Sequence, residues 1–225
     1  MANIVVDIVL EDDASPIYLK ARSVPYALKK KVEDELERLV KLGLYEPIAY
    51  SPWATPIVPV PKSDGTIRIC GDYKTTVNPR AKCEKYPVPK TEDLLATLNG
   101  GQRFTKLDLS MAYQQLRLTD SSAEILTLNT HKGLFRPKRL MFGVHSAGAI
   151  FQREIEKRLS GIPFTVVRVD DILISGRNDR EHLDNVSQVL EVLHKNGLRL
   201  KESKCSFMKE EISYLGFKIN KKGFH

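Results

Sequence analysis

The spacing of apolar residues along this chain alternates between two periods, which separate predicted helices from predicted strands. A three- and four-residue spacing with capping signals predicts helices in four segments: 23–43, 91–100, 146–159 and 179–196. Runs rich in β-branched residues, bounded by Gly, Pro or polar clusters, predict strands or hairpins in five segments: 50–71, 103–110, 125–140, 165–175 and 211–220. In the last of these, the alternation slips at Leu215-Gly216, which predicts a bulge.

The order of these elements predicts the fold class. The strand at 103–110 is followed by a hairpin, a helix, a second hairpin at 165–175 and another helix. This order builds an antiparallel sheet backed by helices, so the predicted class is α+β. The proline-rich run 50–61 is compatible with an edge or extended strand but not with a central strand, because proline cannot donate to a strand ladder.

Three aspartates on two predicted strands carry the strongest chemical signal. Asp170 and Asp171 join the apolar runs of the 165–175 hairpin, and Asp108 lies within the apolar strand 103–110. A polar pair at a turn is usually only a solvated turn. A charged group inside a sheet, however, needs a partner or a metal. If both runs lie in one sheet with their acidic ends at the same edge, three carboxylates converge, and oxygen-only ligands select Mg²⁺ or Mn²⁺ over zinc.

Composition and charge narrow the class of partner. The 225 residues carry 35 Lys and Arg against 28 Asp and Glu, a net charge of +7. Residues 1–60 hold seven bases and nine acids, so the remaining 165 residues hold 28 and 19 and carry the whole surplus. A basic surface around an acidic metal site suits a protein that holds phosphates, although moderate charge also serves solubility.

The predicted location is intracellular, cytoplasmic or nuclear, and not secreted. The three cysteines have neither CxxC spacing nor an even count, which predicts a reduced compartment rather than disulfides or zinc. No apolar run approaches the about 20 residues of a membrane span, so no membrane partner is expected.

Two bases and one aromatic residue are candidates for nucleotide contacts. Lys62 lies near the tip of the 50–71 hairpin and Arg68 on its returning arm, so this hairpin could fold over a triphosphate. The pattern alone is more typical of a surface hairpin with two exposed bases. Tyr113 follows Asp108 by five residues and could stand beside a nucleotide, although a tyrosine there is more often part of a core.

Six motifs together resemble the reverse transcriptase of Ty3/Gypsy-type LTR retrotransposons in their order and spacing, over nearly the whole chain. They are Pro52–Lys62, Ile67–Lys74, Phe104–Gln115, Gly143–Gln152, the Asp170-Asp171 hairpin and Tyr214–Phe217. The resemblance implies the fingers and palm of a right-hand polymerase. Its activity would be RNA-directed DNA synthesis, in which a dNTP is joined to a primer 3′-hydroxyl on an RNA or DNA template.

The resemblance also implies roles for single residues. The matches to a catalytic triad that binds two Mg²⁺ or Mn²⁺ ions are Asp108, Asp170 and Asp171. The matches to the nucleotide site are Lys62, Arg68, Tyr113, Phe142 and Gly143. The matches to primer or template contacts are Arg168, Gln152, Tyr214, Leu215 and Gly216.

The domain organisation follows from the same resemblance. Residues 1–22 are expected to form an N-terminal connector, 23–102 a fingers-like portion, and 103–225 the palm, with a fingers insertion near 120–145. No thumb is expected within this sequence. The thumb, RNase H and integrase domains of a Pol polyprotein are expected partners that the sequence does not contain.

Three substitutions inside the motifs depart from the family pattern. Arg168 replaces a Tyr, and Met141 and Gly148 each replace a Pro. Because side chains two apart on a strand share a face, Arg168 is expected to point with Asp170 toward the metal site and to oppose metal binding.

These departures leave two hypotheses open beside an active polymerase. One is a catalytically degenerate remnant that only binds nucleic acid or has no activity. The other, which is weaker, is an RNA-binding sheet of the RRM kind. Such a sheet shares the order of strands and helices but needs stacking aromatic residues where this chain has acids.

Overall fold

The chain forms two compact units, which a computed structural model describes over residues 3–84, 86–87, 90–214 and 216–224. The first unit comprises Met1–Ile4, Tyr86–Gln115 and Gly148–His225, and the second comprises Val5–Lys85 and Leu116–Ala147. The bounds of these units differ from those of the predicted domains. Residues 86–102 join the unit that carries the aspartates, because the helix at 91–97 contacts a strand there. Residues 5–22 join the second unit instead of forming a separate connector.

The secondary structure has the following bounds in the described residues. The helices are α1 (Tyr26–Lys41), α2 (Thr91–Thr97), α3 (Asp120–Ile125), α4 (Ala147–Leu159) and α5 (Asp179–Lys195), with 3₁₀ turns at Ala112–Gln115 and Glu202–Lys204. The strands are β1 (Val5–Val6), β2 (Tyr45–Ile48), β3 (Thr55–Pro61), β4 (Ile67–Gly71), β5 (Arg103–Asp108), β6 (Arg117–Leu118), β7 (Leu128–Thr130), β8 (Gly133–Pro137), β9 (Thr165–Arg168), β10 (Asp171–Gly176), β11 (Ser206–Lys209), β12 (Glu211–Tyr214), β13 (Phe217–Asn220) and β14 (Gly223–Phe224).

The first unit is built on a four-stranded sheet with the order β11-β5-β10-β9, in which every neighbouring pair is antiparallel. Alternate side chains of this sheet lie on opposite faces. One face carries the fully buried His182 and Asn185 of α5. The other face forms a buried apolar cluster with α2 and the sheet β12-β13-β14; its members are Leu94, Leu98, Phe104, Val166, Leu173, Ile212, Tyr214 and Ile219. The predicted α+β class is confirmed.

The second unit contains a five-stranded sheet with the order β2-β8-β7-β3-β4. The proline-rich strand β3 lies between two strands, so the prediction that it could not be central was wrong. Its two neighbours, however, use different parts of it. On β3, the residues that pair with β7 are Thr55 and Pro56, and the residues that pair with β4 are Ile57–Pro61. Along Pro59 and Pro61, β3 therefore has a neighbouring strand on one side only. The N–H groups that these prolines lack are not needed on the open side.

Some local predictions needed correction. Tyr214 of β12 pairs with Phe217 of β13 in an antiparallel hairpin. The bulge predicted at Leu215-Gly216 falls partly on Leu215, which lies outside the described residues. The hairpin predicted within 125–140 is confirmed by β7 and β8, but its first residue, Ile125, ends helix α3 instead of beginning a strand. Leu183 and Leu190 of α5 were expected to face inward on the helical spacing but are exposed.

None of the helices in the described residues is both long and apolar enough to cross a membrane.

Candidate active site

The strand register of the first unit brings the three aspartates together at one end of the sheet. Asp108, the last residue of β5, lies directly opposite Asp171, the first residue of β10. Such partners have Cα atoms about 4.5–5.5 Å apart and side chains on one face. The Leu109 amide donates to the Asp170 carbonyl at 2.8 Å, which fixes the third aspartate beside the other two.

Asp170 lies in a tight turn. Arg168 pairs directly with Asp171, so Val169 and Asp170 form a two-residue loop between β9 and β10. Val169 has a φ of +54°, a conformation that hairpin turns require at this position but that a β-branched residue rarely adopts. The strain of such a residue costs about 1–3 kcal/mol, which the surrounding structure must offset.

The side chain of Gln152 holds this turn from the inside. Its Oε1 accepts from the Val169 amide at 2.6 Å, and its Nε2 donates to the Val167 carbonyl at 2.8 Å. The same Nε2 donates to Glu156 at 2.7 Å, and Glu156 also accepts from the Tyr86 hydroxyl. Gln152 is completely buried. The predicted contact with primer or template does not agree with this position, because both ends of the amide are used by the hairpin.

Arg168 occupies a different face from the predicted one. The two-residue turn interrupts the alternation of side chains, so Arg168 shares a face with Asp171 across the ladder rather than with Asp170 along the strand. Arg168 and Asp171 are therefore neighbours of opposite charge. In the described residues, Arg168 forms no ion pair closer than 4.0 Å.

Two lysines that the sequence pattern did not single out contact the carboxylates. Lys106 Nζ lies 3.0 Å from Asp171 Oδ2, and Lys204 Nζ lies 3.4 Å from Asp108 Oδ2. Lys106 precedes Asp108 by two residues on β5 and therefore shares its face. A lysine two residues before a candidate metal-binding aspartate, on the same face of the strand, was a signal that could have been noticed. Lys204 lies in a 3₁₀ turn far along the chain, and nothing in its local sequence marks it.

Tyr214 lies in the interior of the first unit. Its ring is buried in the apolar cluster, with Lys106 Nζ 5.7 Å from the ring centroid. Its hydroxyl has no hydrogen-bond partner in the described part of the chain. Burial, and then the negative charge of Asp171, raise the pKa of this phenol above its ordinary value. The buried ring does not agree with a direct primer contact. Gly216 lies in the adjacent hairpin turn with a φ of +84°, and Leu215 lies outside the described residues.

Tyr113 lies close to the aspartates. It belongs to the 3₁₀ turn after β5 and packs edge-to-face on Phe151, with ring centroids 5.6 Å apart. Burial, and then the charge of Asp170, raise the pKa of the Tyr113 phenol. A Cβ atom added at Gly148 would lie 3.6 Å from the Tyr113 hydroxyl, which is an ordinary van der Waals contact.

The remaining predicted residues lie in the second unit. Arg68 of β4 stacks on Phe142, with its guanidinium carbon 4.6 Å from the ring centroid. Gly143 adjoins them with a φ of +93°, and a Cβ atom there would lie 2.7 Å from the Gly71 carbonyl oxygen. Lys62 is exposed at the turn between β3 and β4, where its backbone bonds Thr66. The structure thus brings Arg68, Phe142 and Gly143 together and places Lys62 at the far end of the same hairpin.

The three carboxylates provide the chemistry of a divalent-ion site but are not set around one. In the described residues, no group of three or more His, Cys, Asp or Glu side chains is arranged to hold a metal ion. Two of the carboxylates are paired with lysines instead. The donor set nevertheless fits Mg²⁺ or Mn²⁺, which prefer carboxylate oxygens. Asp108, Asp170 and Asp171 are the residues that would hold such ions once the lysines withdraw.

An antiparallel sheet with converging aspartates at a hairpin is typical of a nucleotidyl-transferring palm, and comparison with known proteins agrees. The family model described as reverse transcriptase (RNA-dependent DNA polymerase) matches residues 60–219. The chain belongs to this family, and the Ty3/Gypsy-type resemblance is confirmed.

Individual relatives extend over most of the chain. Protein K02A2.6 of Caenorhabditis elegans is 37% identical over 92% of the chain, which spans 16% of that protein. The retrovirus-related Pol polyprotein from transposon 412 of Drosophila melanogaster is 30% identical over 95% of the chain, which spans 18% of that polyprotein. The solved structure of the foamy viral protease-reverse transcriptase dRH in complex with ds DNA is similar over 99% of this chain and 39% of that one, with a TM-score of 0.88 and 25% identity. The chain therefore spans less than two thirds of the length of each of these proteins.

Proposed function

We propose that this chain synthesises DNA on an RNA template by nucleotidyl transfer at Asp108, Asp170 and Asp171. The observation that carries the proposal is the strand register and backbone bonding that bring these three aspartates to one end of an antiparallel sheet. Acids on apolar strands are costly unless a cation accompanies them. Membership of the reverse transcriptase family supports the same conclusion.

The carboxylates would hold two divalent ions. When bound, such ions activate the primer 3′-hydroxyl and neutralise the leaving pyrophosphate. Lys204 is the more exposed of the two lysines and forms the longer ion pair, so it can leave Asp108 at little cost. Lys106 is more enclosed and forms the shorter ion pair, so its withdrawal from Asp171 costs more.

Substrate contacts are proposed for residues whose side chains are accessible or close to the carboxylates. Tyr113 would lie beside the sugar of the dNTP, because its ring is fixed against Phe151 close to Asp170. In the second unit, Lys62 and Arg68 would contact the triphosphate, and stacking on Phe142 already orients the Arg68 guanidinium fork.

Primer and template contacts fall into two groups. Arg168 and Gly216 lie at turns of the first unit and can meet a nucleic-acid backbone. Gln152 and Tyr214 are buried, so we assign them an indirect role, in which they support the β9-β10 and β12-β13 hairpins.

The test is primer extension on a poly(rA) template with an oligo(dT) primer and dTTP, in Mg²⁺ and in Mn²⁺. We expect extension by the natural chain and loss of extension in Asp170→Asn. The control is Asp184→Asn, which makes the same substitution at an exposed residue of α5. This variant should extend the primer normally. Nucleic-acid binding without extension in either metal would instead favour the degenerate remnant.

A further inference from the structure

One amide side chain in the second unit joins the segment that follows β4 to the loop that carries Phe142 and Gly143. Asn78 Nδ2 donates to the Gly143 carbonyl at 2.9 Å, and Asn78 Oδ1 accepts from the His145 amide at 2.9 Å. The side chain thus binds two backbone groups of one loop, one with its donor and one with its acceptor. Asn78 lies outside the motifs that define the nucleotide site.

The backbone at Gly143 needs such support. Its φ is +93°, and a Cβ atom there would lie 2.7 Å from the Gly71 carbonyl oxygen, so the loop approaches the end of β4 closely. Glycine loses more conformational freedom on folding than any other residue, and this loss must be offset if the loop is to keep one shape. The two bonds of Asn78 restrict the backbone at and after Gly143, so they contribute to this offset.

Asn78 is itself held on a rigid base. Its backbone amide donates to the Tyr73 carbonyl at 2.9 Å, and the buried Tyr73 donates its hydroxyl to the Leu126 carbonyl at 2.9 Å. On the other side of Asn78, Arg80 Nη1 donates back to the Thr76 carbonyl at 2.9 Å. A side chain that is supported in this way can hold a loop in place rather than follow its movements.

The loop that Asn78 holds also carries the ring on which Arg68 stacks. The Arg68 guanidinium carbon lies 4.6 Å from the ring centroid of Phe142, which directly precedes Gly143. A planar guanidinium binds phosphate oxygens as a fork, so its orientation decides how many hydrogen bonds it can offer at once. A shift of the loop would move the ring of Phe142 and change this orientation.

We propose that Asn78 is a positioning residue for the incoming nucleotide and acts through the 143–145 backbone, Phe142 and Arg68. The inference rests on the proposed function, in which Arg68 contacts the triphosphate. Its physical basis is preorganisation, because a loop that is fixed before the nucleotide arrives does not have to be ordered at the expense of binding. Asn78 is partly exposed, so loss of its two bonds should weaken nucleotide binding without unfolding the chain.

Asn78→Leu tests the proposal, because leucine has a similar size and shape but can neither donate nor accept. In primer extension we expect the KM for dTTP to rise about fivefold and kcat to change less than about twofold.

The matched control is Asn196→Leu in the first unit. The Asn196 amide also makes two bonds, accepting from Arg158 at 3.1 Å and donating to the Val192 carbonyl at 2.8 Å. This variant should lose a similar amount of Tm and keep the natural KM. An equal rise of KM in both variants would overturn the proposal, because loss of stability would then be the cause.

A double-mutant cycle tests whether Asn78 acts through Arg68. Arg68→Gln alone should weaken dTTP binding. Adding Asn78→Leu to it should change the KM less than about twofold further, because the guanidinium that Asn78 positions is already absent. Effects that multiply independently would overturn the proposed path.

Binding of dTTP to the chain on a primer-template that ends in a dideoxynucleotide separates this inference from the proposed function, because it requires no chemistry. Weaker dTTP binding by Asn78→Leu supports the inference even if the natural chain does not extend primers. Normal dTTP binding by this variant, together with extension by the natural chain, would overturn the inference and leave the proposed function standing. A natural chain that neither extends primers nor binds dTTP would overturn both.

Discussion

At the scale of single residues, one buried amide determines the shape of the turn that carries Asp170. Gln152 binds the backbone of both Val167 and Val169, and the latter is strained at a φ of +54°. Without this amide, a buried N–H and a buried C=O would lose their partners, and each such loss costs about 1–3 kcal/mol.

Replacing Gln152 with the similarly sized Met should therefore lower the free energy of unfolding by about 2 kcal/mol or more. Urea denaturation measures this loss. Gln188→Met is the control, because Gln188 is exposed on α5 and bonds only its own helix. Equal stability of the two variants would show that the turn does not depend on the amide.

Arg168 is the second residue whose role depends on this turn. It lies opposite Asp171 rather than beside Asp170, so its positive charge acts on the carboxylate that Lys106 already contacts. A third cation beside these carboxylates opposes the binding of a divalent ion.

We predict that Arg168→Tyr increases the affinity for Mn²⁺ severalfold, measured by electron paramagnetic resonance without substrate. Arg168→Lys keeps the charge and should leave the affinity near that of the natural chain. If both variants bind Mn²⁺ equally, charge at this position does not control metal binding.

These residues also show where sequence reasoning stops. Asp108, Asp170 and Asp171 could be predicted to converge, because acids on apolar strands need a common explanation. The face of the sheet on which Arg168 lies could not be predicted. It depends on the two-residue turn that interrupts the alternation of side chains, and the length of that turn is set by backbone geometry. The partnership of Lys204 with Asp108 joins residues 96 positions apart, which no local pattern records.

At the scale of elements, α5 is connected to the sheet through a buried histidine. His182 Nε2 lies 2.8 Å from the Thr105 hydroxyl of β5, and that hydroxyl oxygen also accepts from the Met208 amide of β11. Apolar spacing placed Leu183 and Leu190 inside instead, although both are exposed. The helix buries the polar His182 and Asn185 beside the apolar Val186, Val189 and Leu193, and a hydrophobic pattern cannot show the two polar members.

His182 makes stability depend on pH. Burial lowers the pKa of this imidazole below the ordinary 6.5. His182 therefore takes up a proton more readily in the unfolded chain than in the folded chain. Its contribution to the free energy of unfolding is fully present above about pH 6.5 and is lost as the pH falls below that value.

Urea denaturation between pH 7.5 and pH 5 should show this decrease in the natural chain and a weaker one in His182→Gln. His194→Gln removes an exposed histidine from the end of the same helix and should retain the natural pH dependence. If the free energy of unfolding changes with pH by the same amount in all three proteins, His182 is not the source of the pH dependence.

Helix α4 carries one of the departures from the family pattern. Gly148 lies in its first turn with ordinary helical backbone, and an added Cβ would only contact the Tyr113 hydroxyl at 3.6 Å. Gly148→Ala should therefore stabilise the chain by about 0.5–1 kcal/mol, because alanine loses less backbone freedom on folding.

Thermal unfolding tests this gain against Gly161→Ala. An added Cβ at Gly161 would meet no atom within 4 Å, but the φ of +93° there strains alanine. The two substitutions should change Tm in opposite directions, and a loss of stability in Gly148→Ala would contradict the contact geometry.

At the scale of the whole molecule, the charge distribution sets how nucleic acid is held. The net charge is +7, and all of the surplus lies beyond residue 60. Basic side chains attract a phosphate backbone by releasing its condensed counterions, so binding built on them weakens as salt rises.

We predict that the affinity for a primer-template duplex falls at least about tenfold between 50 and 200 mM chloride, because even a few neutralised phosphates give a slope of about −0.9 each. Fluorescence anisotropy with a labelled duplex measures this decrease. A duplex of unrelated sequence should show the same slope, because phosphate contacts carry no sequence information. Affinity that stays constant over this salt range would mean that contacts to bases or sugars dominate. The excess of basic residues would then serve solubility rather than binding.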